Sequence, residues 1–497
     1  MQILVIGAGF GGIAAAIELR RHGAGEVTIL EAAPELGGTW FHNRYPGAAC
    51  DVPSHLYSYS YAQRRDWSRL CSTQAEILAY LQGVADEHGV SGLIRGSQPV
   101  AELRWHEQRS RWEALTEAGE RFEADAVVIA TGQLNRPSIP ALPGRASFSG
   151  HSFHSARWDH DYDLTGKRVA VVGTGASAVQ FVPAIAATVG RLTVFQRSGT
   201  WMLPRRNHVY APPVRALMAR VPGLQAARRR FLFAFLEGLT LSIRHPRTVG
   251  RLLALRSAAF MRHQVSDPDL RERIWPDYTF GCKRVLFSSH YLPALQRPNV
   301  ELVTEPIAEI VPEGVRTADG TVRALDCIIW ATGFAAAEPV APIRVRGAGG
   351  IELAGVWAGG AHAHLGMTVP GFPSLFIMYG PNTNTSGGSI IVYLEAQAGY
   401  VRQAIEHLRD SGSTRLDVRP EVEAASDRET QERFAGTAWL DCDSWYRNRH
   451  GRIVTNWPGY MREYMKRTRA FDPAEFRFSR ERTPAAGAGA PAGAPGR

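Results

Sequence analysis

The sequence has few cysteines, and none of them pair at local spacing. Five are spread over 497 residues, at Cys50, Cys71, Cys282, Cys327 and Cys442, with neither a CxxC pair nor metal-ligand spacing. This excludes a dithiol redox centre and a structural zinc site, and it predicts no metal and no disulfide. Long apolar runs are also missing. The most apolar stretch, FLFAFLEGLTLSI from Phe231 to Ile243, is short of the roughly 18 residues of a membrane span and carries Glu237. The chain opens on QILVIGAGFGG, which leaves no room for a signal peptide, so a cytoplasmic protein is expected. Lys and Arg number 56 against 47 Asp and Glu, a net charge of +9, and much of the excess falls between Arg215 and Arg262. No nucleic-acid-binding signature accompanies it, so the basic stretch is a solvated helical face or makes weak peripheral contact with a membrane. The end TPAAGAGAPAGAPGR, from Thr483, is rich in Pro, Gly and Ala and is expected to be a disordered tail.

What is present is a pair of nucleotide-binding signatures. The N-terminus reads strand, glycine turn, helix, with Gly7, Gly9 and Gly12 in the turn and Glu31 at the end of the next strand. The first glycine allows the tight turn, the second admits a pyrophosphate and the third lets the helix pack on the strand, while the acid accepts hydrogen bonds from a ribose diol. The pattern returns at RVAVV followed by Gly173, Gly175 and Ala178, but nineteen residues on stands Arg197 instead of an acid. A guanidinium attracts a 2′-phosphate that a carboxylate repels. The first site therefore suits an adenosine with a free ribose hydroxyl and the second NADPH, with Lys283 or Arg205 as a reinforcing charge. Two apolar runs, DAVVIATG and DCIIWATGF, bracket the second unit. The fold class expected is α/β: two Rossmann-like domains, with the NADPH domain (141–324) inserted into a discontinuous FAD domain (1–140 and 325–482) and a helical excursion at about 206–276. HAHLGMTVPGF, from His362 to Phe372, reads as a substrate mouth or a surface loop.

Between the two units lies FSGHSFHSARWD. It resembles the FxGxxxHxxxW fingerprint of type I Baeyer–Villiger monooxygenases, matched at Phe148, Gly150, His154, Trp158 and Asp159. GGTWFHNRYPGAACD from Gly37 to Asp51, CKR from Cys282 to Arg284, YGPNTN from Tyr379 and DSWYRN from Asp443 extend the resemblance over nearly the whole chain. It implies FAD and NADPH as cofactors, with a ketone and O2 as substrates. The implied reaction inserts one oxygen atom beside the carbonyl, through a flavin C4a-peroxide, to give an ester or lactone. It further implies that Arg284 stabilises the developing negative charge and that Asp51 orients Arg284. Lys283 and Arg197 would take the NADP phosphate, Trp445 would contact bound NADP, and Trp40 and Tyr45 would belong to the FAD-contacting motif. The fingerprint couples domain movement to cofactor position, so His154 is not assigned as a general base. Alternatives are an N- or S-oxygenating flavin monooxygenase, and a non-oxygenating NADPH oxidase or redox sensor. A flavin disulfide reductase is excluded by the missing cysteine pair.

Overall fold

The computed structural model describes residues 1–480 apart from 222 and 386, so the tail expected from Thr483 lies outside the described residues. The strand Gln2–Ile6 is buried at every position after Gln2, as a central parallel strand with both faces covered must be. It lies between Glu26–Leu30 and Ala126–Ile129. Ile94–Arg95 and Leu375–Ile377 complete a five-stranded parallel sheet. The helix Ile390–Asp410 returns to cover it. Ile391, Leu394, Ala398, Val401 and Ile405 recur at three- and four-residue steps and share a core with Ile13, Ala14 and Ile17 of the first helix, Phe10–Arg21. A smaller sheet of Val100–His106, Arg111–Thr116 and Arg121–Ala124 also takes Arg344–Arg346, so the two halves of this unit are joined by strand pairing twice.

The second sheet centres on Arg168–Val172, flanked by Arg191–Phe195 and Cys327–Trp330, with Val300–Val303 and His151–His154 at its edges, all parallel. This confirms two dinucleotide-binding units, one inserted into the other. It also moves the expected boundary at 325. Cys327–Trp330 pairs with Val169–Val172 on one side and with His151–His154 on the other, so the chain leaves the inserted unit only after Trp330. DAVVIATG and DCIIWATGF are near twins, but register places them in different sheets.

The 206–276 stretch is helical, with Pro212–Arg220, Leu224–Arg244, Arg251–Gln264 and Pro268–Ile274. Pro212 and Pro268 stand at helix starts, where proline's missing NH costs nothing. HAHLGMTVPGF is not a surface loop. Met367, Val369 and Phe372 are core residues, and buried His364 bonds Glu475 at 3.1 Å.

One bond overturns the cysteine reading. Cys282 and Cys442, 160 residues apart with Cα atoms 6.1 Å from each other, form a disulfide; Cys50, Cys71 and Cys327 are free and buried. No local spacing signals such a pair, because the fold brings its members together.

Candidate active site

The two glycine turns are built alike. Gly7 has φ +104°, and a Cβ there would sit 2.7 Å from the Ala130 carbonyl oxygen; at Gly173, φ +107°, the same atom would sit 2.5 Å from the Ala331 oxygen. The matched Ala-Thr-Gly segments thus press on the first glycine of each fingerprint, which accounts for their recurrence. The third position differs. A Cβ on Gly12 would overlap the Gly7 oxygen at 1.8 Å, whereas Ala178 carries its methyl fully buried. Gly9 begins the first nucleotide helix without a side-chain cap, and around Gly175 a Cβ would meet nothing within 4 Å, room for a ligand to approach the backbone.

Glu31 is buried and accepts hydrogen bonds from the backbone NH of Ala8 (2.6 Å) and Ala33 (2.8 Å). Burial raises its pKa, and those NH groups oppose the rise. Arg197 is exposed and enters no ion pair among the described residues. Near it, Lys283 Nζ lies 3.2 Å from Ser198 Oγ and 4.6 Å from the centre of the Tyr278 ring. Burial lowers the Lys283 pKa, and the charge of Arg197 lowers it further. Asp277 and Asp443 oppose that shift more weakly, and two neighbouring cations that enter no ion pair among the described residues fit a phosphate dianion.

Arg205 does not join them. Its guanidinium bonds the Cys50 carbonyl (2.5 Å), and its NH bonds Ser289 Oγ (3.1 Å). It lines a cavity of about 570 Å³ with Arg69, Arg297 and, from the helix that follows the second glycine turn, Val179 and Gln180.

The segment carrying Asp51 is pinned to the inserted unit. Gln180, on the second nucleotide helix, accepts from the Ala49 NH (3.2 Å) and the Tyr45 hydroxyl (3.1 Å) and donates to the Ala49 carbonyl (2.9 Å). Asp51 Oδ2 then meets Arg284 Nη2 at 2.5 Å, an ion pair formed between the two units. The Asp51 carboxylate is the main cause of a raised Arg284 pKa; desolvation opposes it, and 45% of the side chain is open to solvent. Tyr379 and Tyr446 close the same region. Burial pushes Tyr446 up to about 12 and Tyr379 higher, and Arg284 opposes both shifts. Sequence reasoning gave neither tyrosine a role, although each sits in a quoted motif. Tyr379 stands in a glycine-like turn with φ +56°, which the sequence alone does not announce.

Trp445 is 41% exposed beside Tyr446, with ring centroids 4.4 Å apart, and the Cys282–Cys442 bond ties its segment to the one bearing Lys283 and Arg284. Trp40 is a core residue whose Nε1 donates to the Tyr57 hydroxyl at 3.1 Å. Tyr45 faces the inserted unit, edge-on to Phe181 at 5.9 Å.

The fingerprint is a packed joint. Trp158 meets Phe153 and Phe181 edge-on, each at 5.2 Å, so a line of rings runs from the edge strand through Phe181 to Tyr45. Gly150 leaves space that a Cβ would take from the Phe148 ring (2.5 Å) and the Asp326 oxygen (2.6 Å). Asp159 accepts from Asp161 NH and pairs with His151 at 2.8 Å. His154 Nδ1 accepts from the Ala156 NH, and its ring lies against Phe334 at the crossover turn. Burial lowers its pKa to about 4, so it is neutral at pH 7.

Residues 1–218 match the family model described as pyridine nucleotide-disulphide oxidoreductase. The chain is 42% identical over 486 residues to a Baeyer-Villiger monooxygenase of Streptomyces coelicolor, covering 97% of this chain and 93% of that one. It is 37% identical to one of Pseudomonas aeruginosa, covering 96% and 91%. Among solved structures it is similar to the OTEMO complex with FAD and NADP, with TM-score 0.88, 29% identity and coverage of 96% of this chain and 99% of that one. It is also similar to closed cyclohexanone monooxygenase, with TM-score 0.87, 29% identity and the same coverage. With more than two fifths of its residues shared along nearly the full length of a curated relative, the chain belongs to the Baeyer–Villiger monooxygenase family.

Proposed function

We propose that Arg284 is the catalytic cation of this flavin-dependent monooxygenase and that Asp51 positions it. The overall reaction takes a ketone, O2, NADPH and a proton to an ester or lactone, NADP⁺ and water, so one oxygen atom enters the product and the other leaves as water. FAD, when bound, accepts the hydride and supplies the activated oxygen. The chain's own residues hold charge and geometry. Gly7, Gly9, Gly12 and Glu31 cradle the FAD dinucleotide, and Trp40 and Tyr45 support the segment that leads to Asp51. Gly173, Gly175, Ala178, Arg197 and Lys283 bind NADPH, and Trp445 covers it. Arg284 donates hydrogen bonds to the oxygen atoms on which negative charge develops, a task for which a guanidinium, charged at any working pH, is suited.

The observation that carries this reading is the Asp51–Arg284 pair. Each unit contributes one partner, so the cation is set in place only when the two units are docked. Arg284→Ala should lower ketone oxygenation by about 10²- to 10³-fold, while NADPH reduces the flavin at near wild-type rate. Stopped-flow absorbance separates the two half-reactions. Oxygenation at wild-type rate in that variant would remove Arg284 from the mechanism.

The strand pairing supports unit boundaries near 140 and 331. No helix among the described residues is long and apolar enough to cross a membrane. We assign the protein to the cytoplasm, where NADPH is regenerated. The Cys282–Cys442 bond runs against a reducing compartment, and thiol counting on protein trapped in intact cells decides between them.

A further inference from the structure

We propose that the outward face of the helix Leu224–Arg244, with the basic segments on either side, docks on an anionic lipid bilayer surface. This helix is apolar on both sides. Inward, Leu232 and Leu236 pack with Leu56, Tyr393 and Trp457, and Ile243 packs with Trp439 and Tyr446. Those contacts give the inner face its place in the fold. Outward, Phe231 is 69% exposed and Phe235 56%, one helical turn apart with rings stacked at 6.3 Å, and Leu241 is also open to solvent. A surface helix normally turns charged or polar residues to water there.

The neighbouring helices share the feature, with Leu217, Leu252 and Leu255 each more than half exposed. Fourteen large apolar side chains stand out as exposed among the described residues, and nine of them fall between 209 and 255. Scattered exposed leucines need no explanation, but this concentration does.

Charge identifies the occupant. Residues 206–262 hold eleven arginines and one acid, Glu237, while the other 440 residues hold 45 basic side chains against 46 acidic. The entire positive excess of the protein lies on this stretch. Glu237 is turned inward, where it accepts from the Arg462 NH at 3.0 Å. Arg206, Arg220, Arg230, Arg247, Arg251 and Arg256 are exposed and enter no ion pair among the described residues. Exposed phenylalanines among unpaired arginines are the composition of an interfacial helix on anionic lipid. A second copy of the chain would bring a like-charged face against this one, and the arginines would repel it.

The placement has a consequence for substrate supply, which rests on the family assignment. Ile243 Cγ1 lies 3.2 Å from where a Cβ on Gly281 would stand, next to the cross-linked Cys282 and two residues before Lys283, so the docking helix packs beside the segment that leads to Arg284. A ketone dissolved in the bilayer would enter close to where it reacts.

The test is co-sedimentation of the holoenzyme with vesicles of phosphatidylcholine containing about a third phosphatidylglycerol, against pure phosphatidylcholine. The protein should sediment with the anionic vesicles at low ionic strength and be released by salt. Phe231→Ser with Phe235→Ser should weaken binding by about tenfold or more, and so should Arg247→Gln with Arg251→Gln and Arg256→Gln. Unchanged turnover of a water-soluble ketone shows that the variants remain folded, and since the readout is binding, loss of the oxygenation reading would leave this one standing. Three results would overturn it: no binding to anionic vesicles at low salt, equal binding by the phenylalanine variant, or a dimer in solution that this variant converts to monomer without any vesicle binding.

Discussion

The two nucleotide turns share a sequence plan but differ in how complete the protein leaves them. At the first, Glu31, the proposed ribose ligand, is buried, and two backbone NH groups fix its carboxylate before any ligand arrives. The helix meets the strand so closely that Gly12 has no room for a methyl. At the second, Ala178 fits, Arg197 is exposed, and Lys283 is held near it at the cost of a lowered pKa. A site completed by its own backbone suits a group that stays, and a site of unpaired cations suits a dianion that comes and goes. The difference matches a resident flavin in the first unit and an exchanging nicotinamide cofactor in the second.

The sharpest way to break that comparison is to exchange the third positions. Gly12→Ala forces a methyl into the Gly7 carbonyl, and nothing flexible is there to move aside, so the purified variant should carry little or no FAD. Ala178→Gly removes a buried methyl and loosens a helix start, costing about 1 kcal/mol of stability while NADPH is still used. Flavin absorbance per protein reads the first change and thermal unfolding the second. Full flavin content in Gly12→Ala would show that the tight approach is not required.

A second test concerns how the two units are held together. The Cys282–Cys442 bond closes 160 residues of chain, and in the chain-entropy account its removal costs about 5 kcal/mol. Cys442→Ser should unfold at lower denaturant, and reductant should bring the wild type to the same midpoint while leaving the variant unmoved. Equal midpoints for all three would mean that the bond adds nothing to the docking already supplied by the Asp51–Arg284 pair and the Gln180 contacts.

Sequence carried the nucleotide units because each fingerprint is local: turn, helix and specificity residue lie within about 25 residues, and the glycine requirements are steric. It carried Asp51 and Arg284 through motif position alone, for nothing in their spacing, 233 residues apart, says that they touch. What it did not carry depends on tertiary neighbours. Cys282 and Cys442 are paired by the meeting of two units. Cys327–Trp330 and Ala126–Ile129 are told apart only by the strands beside them. Arg205 reads as a candidate phosphate ligand by charge, but its side chain ends on the Cys50 carbonyl. The outward apolar side of Leu224–Arg244 was hidden because exposure, not composition, separates it from a core helix.

The cation pair sharpens the comparison furthest. Arg197→Ala and Lys283→Ala should each raise KM for NADPH by about 10- to 100-fold, the worth of one charge-assisted hydrogen bond, and leave KM for NADH nearly unchanged. A merely structural arginine would disturb both cofactors alike. The pair also predicts a pH signature. Burial and Arg197 hold the Lys283 pKa below its usual value, so the free enzyme loses this charge at lower pH than an ordinary lysine would. NADPH affinity should therefore fall as pH rises through that depressed pKa, because the deprotonated amine no longer attracts the phosphate. Removing Arg197 removes one of the two causes of the depression, so in Arg197→Ala the falling limb should move to higher pH even though affinity is weaker throughout. A limb that stays in place would mean that the two cations do not share one phosphate, and the second site would lose the feature that distinguishes it from the first.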